Sequence, residues 1–188
     1  MLAIPEAKLG SARIEHFEVE DNFLAWRAGV PPGKYTRLLA GGVLWMSDTP
    51  MEKRWNCRIM YQSSGRVLIA GLGLGVILPK VLERAQHVTV IEKNPDVIAL
   101  VEPHYRCKKL TVINADIHEW TPPKGSKWDV IYFDIWGDVS TDVLPEMAKL
   151  HRRFARFRDT SNSEGWIDSW GCSELRSELR REKASRWW

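Results

Sequence analysis

The sequence predicts an α/β protein built on a doubly wound, mostly parallel sheet, with a small antiparallel layer ahead of it. Three observations carry that prediction. Residues 66–92, RVLIAGLGLGVILPKVLERAQHVTVIE, read as a short apolar strand, a glycine loop, an amphipathic helix and a second apolar strand closed by Glu92. Beyond them, helix-like and strand-like segments alternate, with acids at the strand ends, as crossover-connected sheets require. Before them, residues 11–48 read as β structure punctuated by turn signals.

In chain order, Ile14, Phe17 and Val19 sit among charges, Phe23 to Trp26 follow, and Pro31-Pro32-Gly33 breaks the run. Tyr35 to Ala40 and Val43 to Met46 flank Gly41-Gly42, a two-residue hairpin signature. Thr49-Pro50-Met51-Glu52 opens a helix to about Gln62: threonine caps, proline suits the first helical position, and Glu52 completes a capping box. Asp48 is a candidate for the mouth of a binding site, or else part of the turn and cap.

Gly71, Gly73 and Gly75 let the backbone turn sharply and approach a ligand with no Cβ in the way. Glu92, at the tip of the following strand, can accept hydrogen bonds from both hydroxyls of a ribose. The unit is of the kind that binds a nucleoside-bearing cofactor. A dinucleotide fingerprint would place glycine at 76, where Val76 stands, which disfavours a nicotinamide cofactor.

Asn94-Pro95 starts the next helix, through Val97, Leu100 and Val101. Leu110 to Ile113 is a third strand, followed by Asp116, which either meets a ligand or caps a short helical turn at Ile117 to Trp120. Trp128 to Ile135 is a fourth strand, apolar enough to be buried on both faces. It ends in Asp134, where ligands bind in such sheets, and Asp134 is the leading candidate for substrate binding or proton removal; a loop-capping role is the alternative. Ser140 to Phe157 is a helix with Pro145 confined to its first turn. Its Lys149, Arg152, Arg153, Arg156 and Arg158 make one side basic; a solvated face is favoured over nucleic-acid contact. Glu164 to Trp170 is a fifth strand and Ser173 to Arg186 a polar helix.

With 188 residues, the chain is expected to fold as one compact unit, 1–48 forming the β appendage and 49–188 the main body. No apolar run approaches the roughly 18 residues of a membrane span. Three scattered cysteines without metal spacing and no signal-peptide pattern point to a reducing, cytoplasmic setting. A net charge of +3 is too mild to argue for nucleic acid. No Ser-His-Asp or Cys-His arrangement is visible, and the five histidines lack ligand spacing, so no metal is expected.

The G-x-G-x-G loop with Glu92 after the next strand resembles motif I of the class I S-adenosylmethionine (SAM)-dependent methyltransferases. That resemblance implies a Rossmann-like fold with SAM as cofactor. Gly71, Gly73, Gly75, Glu92, Lys93, Asp116, Ile117 and Asp134 would form its site. In the family the loop lies under the methionine moiety, the acid corresponding to Glu92 holds the ribose, and the one corresponding to Asp116 accepts from the adenine amine. The stretch around Asp134 corresponds to motif IV, where groups meet the transferred methyl or the acceptor. Asp48, Trp136 and Asp138 are the matching substrate-side candidates, and Tyr132, Phe133 and Trp136 lie near the sulfonium end.

Ile69 stands where many members carry an acid, and spermidine synthase-like members also place an aliphatic residue there. The N-terminal β layer and the M-S-D-T-P, G-L-G-L-G and D-I-W elements are similar to small spermidine synthase-like methyltransferase proteins. Aminopropyl transfer fits poorly, because Leu74 replaces that family's loop aspartate and Asp134 and Asp138 are wrongly spaced for its D-x-x-D. The family sheet has seven strands, and only residues 171–188 follow strand five here. The resemblance therefore implies an incomplete edge, covered by the N-terminal hairpin or by a partner in a homodimer. The reading is methyl transfer to an open acceptor, with a non-catalytic SAM-binding protein or an aminopropyltransferase as alternatives.

Overall fold

A computed structural model describes residues 2–27, 29–137 and 140–185. Strands β1 (Ala7–Leu9), β2 (Ala12–Val19), β3 (Gly33–Ala40) and β4 (Val43–Ser47) form an antiparallel sheet in that order. Period-two alternation is visible in β2, where Ala12 and Ile14 are buried and Arg13 between them is exposed. Gly41 and Gly42 both take positive φ, 59° and 81°, and this turn sets the register Ala40 opposite Val43. Phe23–Arg27, expected within the β layer, is instead a short helix, α1. The Asn22 side chain accepts from the Ala25 amide at 2.9 Å and starts that turn.

The single helix expected from Pro50 to Gln62 is two, α2 (Pro50–Trp55) and α3 (Cys57–Gln62), broken at buried Asn56. The Tyr132 hydroxyl donates to Asn56 Oδ1 at 2.8 Å, and Asn56 Nδ2 donates to the Glu52 carbonyl at 3.1 Å, so a side chain from the main sheet pins the break.

The main body follows as β5 (Gly65–Ala70), α4 (Leu78–Arg84), β6 (Ala85–Glu92), α5 (Pro95–Val101), β7 (Leu110–Asn114), β8 (Val130–Phe133), α6 (Leu144–Phe154), β9 (Trp166–Ser169) and α7 (Cys172–Ser185). Every pair in this sheet is parallel, in the order β7-β6-β5-β8-β9. From β5 the chain winds outward through β6 and β7, then returns to the other side of β5. The switch point lies between β5 and β8, where a crevice opens beyond the carboxyl ends. The fourth strand is shorter than Trp128–Ile135: Trp128 forms only an isolated bridge to Arg158, and Asp134 stands past the last ladder pair, Ala70 with Phe133.

Alternation along β5 feeds two cores. Val67 and Ile69 join Val88, Val90 and Tyr132, while Leu68 and Ala70 join Ile131, Phe133 and the α6 residues Leu150 and Phe154. Burial on both faces matches the apolar runs read from the sequence. Ile4, Ile14 and Leu38 belong to the first core, so the β layer shares apolar contacts with the main body. The layer is anchored on α5, where Asp96 accepts from the Ser11 amide at 2.8 Å and its hydroxyl at 3.0 Å; it does not run along β9. On the basic helix, Pro145 does fall in the first turn. Arg153 donates to the carbonyls of Ile117, His118 and Trp120, and Arg158 to Gly165, so two of the five basic residues close loops. No helix among the described residues is long and apolar enough to cross a membrane.

Candidate active site

A cleft of about 560 Å³ opens at the switch point, a size typical of small-molecule sites. Its floor is the turn after β5. Gly71 has φ 97°, donates its amide to the Ile91 carbonyl at 2.8 Å, and packs so closely on the Asp134 carbonyl that a Cβ would collide with it. Gly73, at φ 51°, has the Met46 thioether where a Cβ would go. Gly75 packs on the Tyr105 ring, whose hydroxyl donates to the Leu74 carbonyl at 2.9 Å; it shapes the turn from behind and does not line the cleft.

Glu92 closes β6 at the cleft wall. Its Oε2 accepts from the Leu72 amide and its Oε1 from the Asn94 amide, both at 2.8 Å. The acid thereby ties the glycine loop to the start of α5. An ionised carboxylate offers about four acceptor positions, so roughly two remain for hydroxyls of a ligand.

Beside it, Lys93 pairs with Asp116 at 2.8 Å, and Asp116 Oδ1 accepts from the His118 amide at 2.9 Å. The Lys93 hydrogen bond, then that amide, hold the Asp116 carboxyl below its usual range. Asp116 therefore caps the turn at residues 116–120, as one of its two sequence readings has it, and it also lines the cleft. Ile117, buried, lines it too.

Asp134 and Trp136 form the opposite wall, with Trp45 and Trp170. Burial, and then the charge of Glu52, push Asp134 up to about 7. Glu52 is the residue that sequence reasoning misassigned. Thr49 makes no side-chain cap bond; its hydroxyl instead accepts from the Ser47 hydroxyl at 3.1 Å, and Glu52 turns into the cleft. Burial raises Glu52 to about 7 as well, while the Trp170 indole and the Ser47 amide pull the other way. The Trp170 N–H faces that carboxyl without reaching hydrogen-bond geometry, and among the described residues it is a buried donor with no partner.

Other expected residues are placed elsewhere. Asp48 does not stand at the mouth: it is fully buried and accepts from the Leu2 amide at 2.6 Å and the Thr36 amide at 2.7 Å, stapling the β layer. Tyr132 and Phe133 are core residues, leaving Trp136 as the member of that trio on the cleft wall, its indole donating to Glu146 at 2.8 Å. Asp138 lies outside the described residues. Missed by sequence reasoning were Glu52, Trp45, Met46 and Trp170, all brought in by the β layer, α2 or β9. The M-S-D-T-P element was the signal that flagged their neighbourhood. No group of three or more His, Cys, Asp or Glu among the described residues is arranged to hold a metal ion.

No family model matches the chain, and no curated protein matches it by sequence. Among solved structures, SMU.776 in complex with SAH superposes with a TM-score of 0.50 at 16% identity, covering 72% of this chain and 39% of that one. The DhpI–SAH complex gives 0.46 at 18% identity, over 62% of this chain and 52% of that one. The N-methyltransferase NodS from Bradyrhizobium japonicum gives 0.46 at 14%, over 58% and 61%. The chain thus spans 39% to 61% of the length of these structures, and the likeness is one of fold: a Rossmann-like α/β sheet.

Proposed function

We propose that the cleft binds SAM and that the protein transfers its methyl group to an acceptor presented beside Asp134. The observation that carries this reading is Glu92. It sits at the tip of the strand after the glycine loop, fixed by two backbone amides and with acceptor positions left for two ribose hydroxyls. The fold likeness to SMU.776, solved with SAH, supports the same cofactor class. So does charge. Glu52, Glu92, Asp116 and Asp134 line the cleft, with Lys93 as its lysine, paired to Asp116. Such a site favours a sulfonium cation and opposes a pyrophosphate.

In this reading the turn at Gly71 and Gly73 carries the methionine end, Asp116 and Ile117 flank the adenine, and Lys93 moderates the charge of Asp116. Bound SAM supplies an electrophilic methyl group; the protein's part is to orient the acceptor and receive its proton. An aminopropyl-transfer reading, in keeping with the spermidine synthase-like resemblance, uses the same cleft.

Calorimetric titration with SAM, SAH, methylthioadenosine and NAD tests the proposal. SAM and SAH should bind and NAD should not. Methylthioadenosine binding more tightly than SAH would favour aminopropyl transfer, and no binding by any of the four would overturn the assignment. Glu92→Ala should weaken SAH binding by about 1–3 kcal/mol, the range for a charged hydrogen-bond partner. Unchanged affinity in a folded variant removes Glu92 from the site.

A further inference from the structure

We propose that the acceptor is a flat aromatic molecule without negative charge, bound against Trp45 in the half of the cleft beyond the tips of β8 and β9. The inference rests on the methyl-transfer reading and names the substrate class of that site. The sheet order β7-β6-β5-β8-β9 divides the cleft. At the tips of β7, β6 and β5 stand Asp116, Glu92 and the glycine turn, the proposed cofactor contacts. At the other end the walls are aromatic: Trp136 follows β8, Trp170 follows β9, and Trp45 reaches in from β4.

Trp45 is there because β4 is irregular. Strict alternation would send neighbouring side chains to opposite faces of a strand. The register between β3 and β4 shifts at Leu38 and Leu39, so that Leu39 faces Leu44 and Leu38 faces Met46, leaving Trp45 between them without a strand partner. Such a bulge re-aims side chains, and here both Trp45 and Met46 line the cleft. They land on different tips. Met46 packs on Gly73, and its thioether accepts from the Leu74 amide at 3.0 Å, in the turn after β5. Trp45 lies on Gly137, after β8, where a Cβ would stand 3.3 Å from the indole ring. Strand β4 thus spans the boundary between the two halves, and Trp45 belongs to the aromatic one.

The chemistry of that half selects the ligand. The indole N–H of Trp45 donates to the Ala40 carbonyl at 3.3 Å and that of Trp136 to Glu146 at 2.8 Å. With both donors engaged, what these side chains offer a ligand is ring surface, which favours a second planar ring. Trp45 is 47% exposed, apolar area that a bound ring would bury. Charge narrows the class. Glu52, facing Trp170, and Asp134, after β8, line this half, while the lysine of the cleft is paired with Asp116 at the far end. A carboxylate or phosphate on the acceptor would meet repulsion here.

The test is calorimetric titration of SAH-saturated protein and of free protein with 2-naphthol, its saturated counterpart decahydro-2-naphthol, and the anion 2-naphthoate. 2-Naphthol should bind wild type about fivefold or more tighter than either control. Trp45→Leu, which keeps apolar bulk without a ring, should weaken 2-naphthol about fivefold and leave the saturated alcohol nearly unchanged, and Trp45→Phe should restore most of the difference. SAH affinity should stay within about threefold in both variants, because Trp45 lies outside the proposed cofactor contacts. A second readout is the Trp45 indole N–H signal in ¹H–¹⁵N NMR, identified by its absence from Trp45→Phe; 2-naphthol should shift it by ring current and the saturated alcohol should not. The proposal is overturned if 2-naphthol does not bind, if either control binds as tightly, if Trp45→Leu binds 2-naphthol as wild type does, or if bound 2-naphthol leaves the Trp45 signal in place. Should SAH itself fail to bind, the methyl-transfer reading falls, while the three probes and the Trp45 signal on free protein still judge the aromatic subsite.

Discussion

Two acids stand at strand tips on either side of β5, Glu92 ending β6 and Asp134 just beyond β8, and their surroundings are opposite. Glu92 is held at both oxygens by backbone amides, because the chain after β6 bends at Asn94-Pro95 and returns an N–H to it. Asp134 receives no such bond. Its own amide is taken by the Ala70 carbonyl at 2.7 Å and its carbonyl is packed on Gly71, while its carboxyl lines the cleft within electrostatic reach of Glu52. A strand-tip acid is therefore not one kind of residue. Where the neighbouring turns supply donors the carboxylate is fixed by them; where they supply none, burial and a second acid in the same cleft raise its pKa instead.

The residue joining the two halves should be the most sensitive. Gly71 bonds Ile91 on the Glu92 side and touches the Asp134 backbone on the other. Gly71→Ala places a methyl at positive φ against a carbonyl oxygen that cannot rotate away. A loss on the order of 3–4 kcal/mol in urea unfolding is expected, with both halves disturbed together. Gly41→Asn, at positive φ but with open space around it, should cost under about 0.5 kcal/mol. Equal costs at the two positions would mean that φ, and not the close approach to Asp134, makes Gly71 necessary.

The second expected effect separates the acids by pH. Asp134 is raised from 3.8 and Glu52 from 4.5, both to about 7. The folded protein thus holds these protons more tightly than the unfolded chain. Below about pH 4 both states are protonated and the pair makes no difference; as pH climbs toward 7 the unfolded chain ionises first and stability falls, levelling above that. Asp134→Asn should flatten this slope and raise stability at pH 8 by roughly 2 kcal/mol, with little change at pH 4. That figure is set below a full conversion of the shift because Asp134 is coupled to the charge of Glu52 and lines a cleft open to solvent. A slope unchanged by the substitution would assign the pH dependence elsewhere.

The sheet was legible because its signals are local: apolar runs of strand length, Asn-Pro and glycine punctuation, and an acid after each turn. Gly71, Gly73, Glu92 and Asp134 were legible for the same reason. Glu52 was not. T-P-M-E satisfies the capping-box pattern, yet Thr49 makes no side-chain cap bond and Glu52 lines the cleft, while the helix break at Asn56 is pinned by Tyr132, 76 residues away. Trp170 was read as a strand end; its burial depends on packing against Trp55, ring centroids 4.9 Å apart, and on where α2 lies over β9. Asp48 looked available because its partners, the amides of Leu2 and Thr36, lie 46 and 12 residues away and not among its neighbours in sequence. Phe23–Arg27 turned helical through one side-chain cap that composition does not show.

The smallest expected effect lies on the holder side. Lys93 is 78% exposed, and its bond to Asp116 is the kind of solvated pair that contributes little. If the Glu92 half is organised by backbone amides, Lys93→Met should change SAH affinity by less than about fivefold, while Asp116 titrates closer to its ordinary range. Two measurements check this, calorimetry with SAH and a carboxyl NMR titration of Asp116. A loss as large as that of Glu92→Ala would place the Lys93 ammonium on the ligand itself. The contrast would then no longer be backbone-held acid against unpartnered acid pair, but a charged contact on each side of β5.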